Sequence, residues 1–148
     1  MRIRPAEQKD YEELMVLYNS FVVGDRYSNH NADSFKNVLE SPSNFIFVAE
    51  EDGKLIGFAT FSVRNVIRYP KPIAELDELF VMENFRKHGI GKQLMERVEE
   101  EAGNQNCYRL YIESAYQHEA AHKFYEGIGY KNYGYHFYKD LKDERKSS

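Results

Sequence analysis

The period of the hydrophobic positions changes along this chain, and each change marks an element. Ile3 and its neighbours begin a short strand, which Pro5 ends because proline cannot donate to a sheet ladder. From Asp10 the period becomes helical. Leu14, Leu17, Tyr18, Phe21 and Val22 follow an Asp10/Glu13 capping pair, which predicts a helix over about residues 10–23. The polar, turn-rich stretch 24–31 reads equally as a pocket lining and as a surface connection. A short helix carrying Phe35, Val38 and Leu39 follows it and stops at Ser41-Pro42-Ser43. Phe45 to Ala49 is β-rich, Glu51-Asp52-Gly53-Lys54 supplies a turn, and Leu55 to Val66 resumes the β pattern, which makes a hairpin. Tyr69-Pro70-Lys71-Pro72 breaks the chain before a strand from Ile73 to Met82.

After Gly91, Leu94, Met95, Val98 and Ala102 recur at helix spacing with charged residues opposite, and Gly103-Asn104 is expected to end that helix. Tyr108 to Ile112 is a further strand. Glu119 to Ile128 reads as a helix with Ala120, Ala121, Phe124 and Ile128 on its buried stripe, closed by Gly129. The aromatic-rich run Tyr130 to Leu141, broken at Gly134, predicts two antiparallel strands or one bent strand, and Lys142 to Ser148 is a charged tail. No repeat or linker divides the chain, so residues 1–141 are expected to form a single domain. The order of elements is a mixed α/β layout with helices covering a sheet.

Composition narrows the classes. The 148 residues suffice for one core, and 42% hydrophobic with 30% charged residues is ordinary for a folded domain. A net charge of -4 offers no basic footprint for nucleic acid and suits a cationic substrate better. The single cysteine, Cys107, excludes an internal disulfide and any multi-cysteine metal site; it lies in an apolar run and reads as packing rather than as a nucleophile. No run approaches the roughly 20 apolar residues of a membrane helix, and the start leads into charged sequence rather than a signal peptide, so a cytoplasmic location is expected.

The most informative stretch runs from Glu78 to Gly91, where a strand passes through a short turn into a helix. At a helix start the first N–H groups lack partners and the macrodipole is positive, so such a turn can hold a phosphate or pyrophosphate. Gly89 and Gly91 let the backbone approach an anion closely. The pair alone also fits a structural turn, and it lacks the third glycine of a dinucleotide fingerprint and the Gly-Lys-Ser/Thr of a Walker loop.

Arg86-Lys87-His88-Gly89-Ile90-Gly91 resembles the Arg/Gln-x-x-Gly-x-Gly/Ala signature of the GCN5-related N-acetyltransferase superfamily, in its usual place after a strand ending in Val, here Val81. His118 to Tyr130 resembles a second pattern, Asn-x-x-Ala-x-x-Phe-Tyr-x-x-x-Gly-Phe, with His118 where many members have Asn. Ile3-Arg4-Pro5-Ala6 with Asp10 is similar to the usual opening, so the resemblance covers about residues 2–138. It implies a central, mostly antiparallel twisted sheet of six to seven strands, splayed by a bulge at the cofactor strand and flanked by about four helices. The implied cosubstrate is acetyl-coenzyme A. Its amides would pair with the backbone of Leu79, Phe80 and Val81, and its pyrophosphate with the turn Lys87, His88, Gly89, Ile90, Gly91 and Lys92. Arg86 and Lys87 would add charge, and His118 and Tyr125 would lie along the cofactor. A backbone N–H near Val81 would polarise the thioester carbonyl.

The activity implied is direct acetyl transfer to a primary amine, with a small cationic amine favoured by the acidic strand. A protein or peptide amine, or a non-catalytic acyl-coenzyme A sensor, are the alternatives. Tyr125 holds the family's general-acid position. Asp77, Glu113 and Glu75 are the base candidates, in that order, and strand alternation puts Glu75 and Asp77 on one face with Glu78 on the other. His122 and His136 read as ordinary hydrogen-bonded side chains. Tyr116, Tyr133, Tyr135 and Tyr138 offer an aromatic wall for a cation, or sheet packing. No metal-ligand spacing is present. The expected partners are thus acetyl-coenzyme A and an amine, with no nucleic acid, no membrane, and a homodimer possible.

Overall fold

The computed structural model describes residues 1–21, 32–114, 118–134 and 136–141. The stretch 24–31, the end of the predicted first helix at Val22, Tyr116, Tyr135 and the tail from Lys142 lie outside the described residues. Two compact units divide the chain, Met1–Ile112 and Glu113–Ser148.

The first unit contains β1 (Arg2–Pro5), α1 (Tyr11–Phe21), α2 (Ala32–Glu40), β2 (Asn44–Glu51), β3 (Lys54–Arg64), β4 (Ile73–Val81), α3 (Ile90–Asn104) and β5 (Arg109–Ile112), with 3₁₀ turns at Gln8–Asp10 and Glu83–Phe85. The five strands lie in chain order β1-β2-β3-β4-β5, antiparallel throughout except for the parallel pair β4–β5. The Asp52-Gly53 turn joins β2 to β3 with both residues at positive φ, 52° and 76°, the geometry that matches the right-handed twist of a hairpin.

β2 and β3 are buried on both faces, because helices cover both. Ile46, Val48, Phe58 and Phe80 pack under Leu14 and Leu17 of α1 and Phe35 of α2. On the other face Leu94 of α3 lies against Gly57, and Arg97 of α3 sits over the Phe47 ring at 4.2 Å. A β-carbon at Gly57 would meet the Phe80 carbonyl at 2.8 Å, so the residue that lets β3 and β4 close up beneath α3 must be glycine.

Asp10 caps one turn earlier than predicted, in a capping box with Glu7, and it also takes a second role. Its buried carboxylate accepts both terminal nitrogens of Arg4, at 2.8 and 2.9 Å, and the Glu7 N–H at 2.7 Å, while Arg4 also reaches Glu50 at 2.8 Å. The Arg4 bonds hold the Asp10 carboxyl below its usual range. Hydrogen bonds to charged groups contribute about 1.5–3 kcal/mol each, which ties β1, the first turn and β2 together. Glu13, expected to complete the capping pair, instead accepts the Leu55 N–H at 2.6 Å. Helix α3 passes through Gly103, and the left-handed residue that stops it is Asn106, φ 62°, with the Cys107 N–H returning to the Ala102 carbonyl at 3.0 Å.

The second unit holds α4 (Glu119–Gly127), closed as expected by Gly129 at φ 102°. Its predicted stripe is only partly covered: Ala121, Phe124 and Ile128 are half-buried and Ala120 is exposed. The expected sheet of six to seven strands is corrected to five among the described residues, since residues 130–134 and 136–141 form no strand. An alternating pattern states which faces a strand would show, not what it pairs with, and no strand is present among the described residues of this unit. Among the described residues, no helix is long and apolar enough to cross a membrane.

Candidate active site

β4 carries most of the site in the first unit, and two features of its pairing shape it. β5 pairs with β4 only from Ile73 to Leu76, so Asp77 to Val81 run on beyond it. The Met82 N–H bonds to the Ile56 carbonyl at 2.9 Å, which directs the backbone groups of alternate residues, including Phe80, towards β3. Those of Leu79 and Val81 then face the other edge, where no strand pairs with them among the described residues.

The second feature is a bulge. On β3, Thr60 opposes Glu78 and Phe61 opposes Leu76, which leaves Asp77 as the extra residue. Thr60 and Ser62 stand two apart and share a face. Thr60 donates to Glu78 at 2.6 Å, the Ser62 hydroxyl lies near enough to Asp77 to favour its charged form, and Arg64, again two further on, donates to Glu75 at 2.9 Å. The alternation predicted for β4 is therefore corrected: Glu75, Asp77 and Glu78 all lie on one face, the face covered by α1, because the inserted residue breaks the period of two. The Tyr18 hydroxyl of α1 also donates to Glu78. Burial, followed by the charge of Glu78, holds that hydroxyl protonated well above the usual tyrosine range.

The three carboxylates differ in environment. Glu75 is ion-paired with Arg64 and Glu78 is held by two hydroxyl donors. Asp77 reaches solvent, yet the protein around it desolvates the charged form and pushes its pKa up to about 6; Ser62 and Arg64 oppose this, and Glu75 and Glu78 add to it.

Beyond β4 the turn tightens. Lys87 and Gly89 take positive φ, 66° and 82°, and Gly89 is the residue before α3. The first N–H to reach an i−4 carbonyl is that of Gln93, on Gly89 at 3.0 Å, so the N–H groups of residues 89–92 stand at the helix start as donors without that partner. Arg86 donates through Nε to the Val81 carbonyl at 2.8 Å and stacks over Phe80 at 5.4 Å, pinning the turn to the end of β4. His88 is exposed and donates through Nδ1 to the Phe85 carbonyl at 3.1 Å. The backbone groups of Leu79 and the N–H of Val81 suit the amides of a pantetheine arm, and the helix-start donors suit a pyrophosphate, so this donor set fits coenzyme A.

Glu113, His118 and Tyr125 belong to the second unit. Glu113 is exposed, 3.5 Å from Nδ1 of His136. His118 is the exposed residue before α4. Tyr125 is half-buried against Phe124 and Tyr130, and burial pushes its hydroxyl up to about 12. Of the expected aromatic wall, Tyr133 and Tyr138 are largely exposed. The aromatic group that does form in the first unit has other members: Tyr69 stacks on Tyr108 and hydrogen-bonds Tyr111, with Arg109 over all three rings. Tyr111 pairs with Glu75 across β4 and β5, which puts it beside the acidic face.

The roles of Tyr18, Thr60 and Ser62 were missed in the sequence because hydroxyls on a helix and a neighbouring strand give no periodic signal. They become partners only through the register.

A family model described as "Acetyltransferase (GNAT) family" matches residues 9–130. The chain is 30% identical over 138 residues to an uncharacterized N-acetyltransferase of Bacillus subtilis (strain 168), covering 88% of this chain and 90% of that one. It is 26% identical over 134 residues to an aminoglycoside N(6')-acetyltransferase type 1 of Salmonella enteritidis, covering 88% and 92%. The fold matches AAC(6')-Iy in complex with a bisubstrate analog, CoA-S-monomethyl-acetylneamine, with a TM-score of 0.83 and 25% identity over 95% of this chain and 98% of that one.

Proposed function

This chain belongs to the acetyltransferase (GNAT) family and is an acetyl-coenzyme A-dependent acyltransferase, and from that premise we propose that its acceptor is a small cationic amine. One observation carries the reading: the β4 bulge gathers Glu75, Asp77 and Glu78 on one face, beside the strand end whose backbone stands open. The carboxylates of Asp77 and Glu78, which have no ion pair among the described residues while Glu75 is paired with Arg64, would attract an ammonium group to that stretch of β4. The aminoglycoside acetyltransferase among the relatives is in keeping with such an acceptor.

An amine attacks only after losing its proton. Asp77 takes that proton, directly or through water, because Glu75 is neutralised by Arg64 and Glu113 stands exposed beside His136. An ordinary carboxylate is mismatched to an alkyl ammonium by about a millionfold in acidity. The raised pKa of Asp77 narrows this to about ten-thousandfold. The free amine attacks the thioester, and the N–H of Val81 stabilises the oxyanion as the carbonyl carbon becomes tetrahedral. The helix-start donors of residues 89–92 hold the pyrophosphate, with Lys87 beside them.

Tyr125 protonates the departing thiolate. Its hydroxyl, pushed up to about 12, stays protonated at neutral pH and is available as an acid. A leaving thiol with a pKa near 8.5 needs limited help, so Tyr125→Phe should lower kcat by about 10- to 100-fold, the low end of acid–base contributions. Acetyl-coenzyme A affinity should hardly change, since the ring remains. Turnover within about twofold of wild type, with chemistry rate-limiting, would leave Tyr125 as packing.

The acceptor class is tested by a panel of diamines, amino sugars, aminoglycosides and lysine peptides, scored by acetyl-coenzyme A-dependent thiol release. Turnover is expected on a small cationic amine. Turnover on peptides alone would replace that class with a protein amine, and none on any amine would favour a non-catalytic acyl-coenzyme A sensor.

A further inference from the structure

We propose that Glu78 is a positioning residue: held by the hydroxyls of Tyr18 on α1 and Thr60 on β3, it fixes the β4 bulge in the form that presents Asp77 to the acceptor. This rests on the reading of Asp77 as the base.

A bulged residue lacks its own cross-strand partner, so the hydrogen-bond ladder does not fix where its side chain points. Asp77 is such a residue, and the next position must supply the constraint. Glu78 stands opposite Thr60, whose hydroxyl binds its carboxylate at 2.6 Å. Tyr18 binds the same oxygen from the other layer, and its ring is stacked on Phe58 at 4.7 Å, 16° from parallel, so the donor is itself held in place. One carboxylate oxygen thus joins the helix above the sheet, the neighbouring strand and the bulge. Without these bonds Glu78 would have no reason to remain on the face of α1, and a local return to regular alternation would turn Asp77 away from it. The groups facing Asp77 are Ser62 and Arg64 from β3, Glu75 and Glu78 from β4 and the Tyr18 hydroxyl from α1, so the brace also keeps one like charge beside it.

The experiment compares the brace in two backgrounds. Tyr18→Phe with Thr60→Val removes both donors while leaving Glu78 and nearly all packing. The kcat should fall about tenfold, since small misplacement of a reacting group can cost up to 10²-fold, while KM for acetyl-coenzyme A stays within about twofold. The acid limb of the pH–rate profile should move with it, and Thr60→Ser alone should keep wild-type turnover. In an Asp77→Asn background the same pair should change kcat by less than about twofold, because its effect passes through Asp77. An equal loss in both backgrounds would make the brace merely structural and overturn the proposal, as would no loss in either. Failure of the base reading shows separately, as wild-type turnover of Asp77→Asn alone. Should the double variant not fold, Tyr18→Phe alone carries the same comparison.

Discussion

Asp77→Asn is expected to lower kcat by about 10²-fold at pH 7, within the usual range for a lost general base, and to erase the acid limb of the pH–rate profile. The sign follows from its environment. Desolvation raises the Asp77 pKa to about 6, so the wild-type base is charged and competent above that pH and is protonated and lost below it. The asparagine variant has no carboxylate to titrate there. Its deficit should shrink at alkaline pH, where the acceptor amine loses its proton unaided. Glu113→Gln, at an exposed position 3.5 Å from His136, should show no comparable change. The measurement is kcat and kcat/KM from pH 5 to 10 on the best amine of the panel. A wild-type profile in the asparagine variant would remove Asp77 from the chemistry. If the deficit stayed constant across pH, the residue would be acting on binding or geometry instead of proton transfer.

Gly91→Glu should abolish measurable acetyl-coenzyme A binding, a loss of more than about 10²-fold. Residues 89–92 offer N–H groups at the start of α3, and their value to an anion lies in positive potential and close backbone approach. A glutamate at the second helical position opposes both: it occupies the approach and puts negative charge where the pyrophosphate must sit. The same carboxylate complements the helix dipole, so the change favours rather than disrupts the helix start. Lost binding with an unchanged melting temperature therefore points to the ligand site. Calorimetric titration of the folded variant with acetyl-coenzyme A decides it, and unchanged affinity would make the turn purely structural. Glutamine at the same position separates bulk from charge, and it should recover part of the affinity.

Much of the fold in the first unit was legible because its signals are local and periodic. The helical spacing of Leu94, Met95, Val98 and Ala102, the Asp52-Gly53 turn and the proline stop at Pro5 each act within a few residues, and the elements fall where those residues put them. The Gly89/Gly91 helix start was legible for the same reason. Less legible were features that depend on a partner. Asp10 and Glu13 read as one local capping pair, but Asp10 caps with Glu7 and is also bound by Arg4 of β1, while Glu13 takes the Leu55 N–H of β3. The aromatic run after Tyr130 has strand-forming composition, and composition does not supply a neighbour to pair with.

The sequence by itself determined the order of elements in the first unit, the glycine-bearing turn before α3 and the set of acidic residues on β4, because each is written in spacing or in residue type along one segment. Only the tertiary structure decided how those acids are disposed. The register of β3 against β4 leaves Asp77 unpaired, and the resulting bulge turns Glu75, Asp77 and Glu78 to one face instead of two. Arg64 neutralises the first, Tyr18 and Thr60 hold the third, and desolvation by the surrounding protein raises the pKa of the second. A carboxylate's face, charge state and partners depend on groups brought to it from far along the chain, and no period in its own segment encodes them.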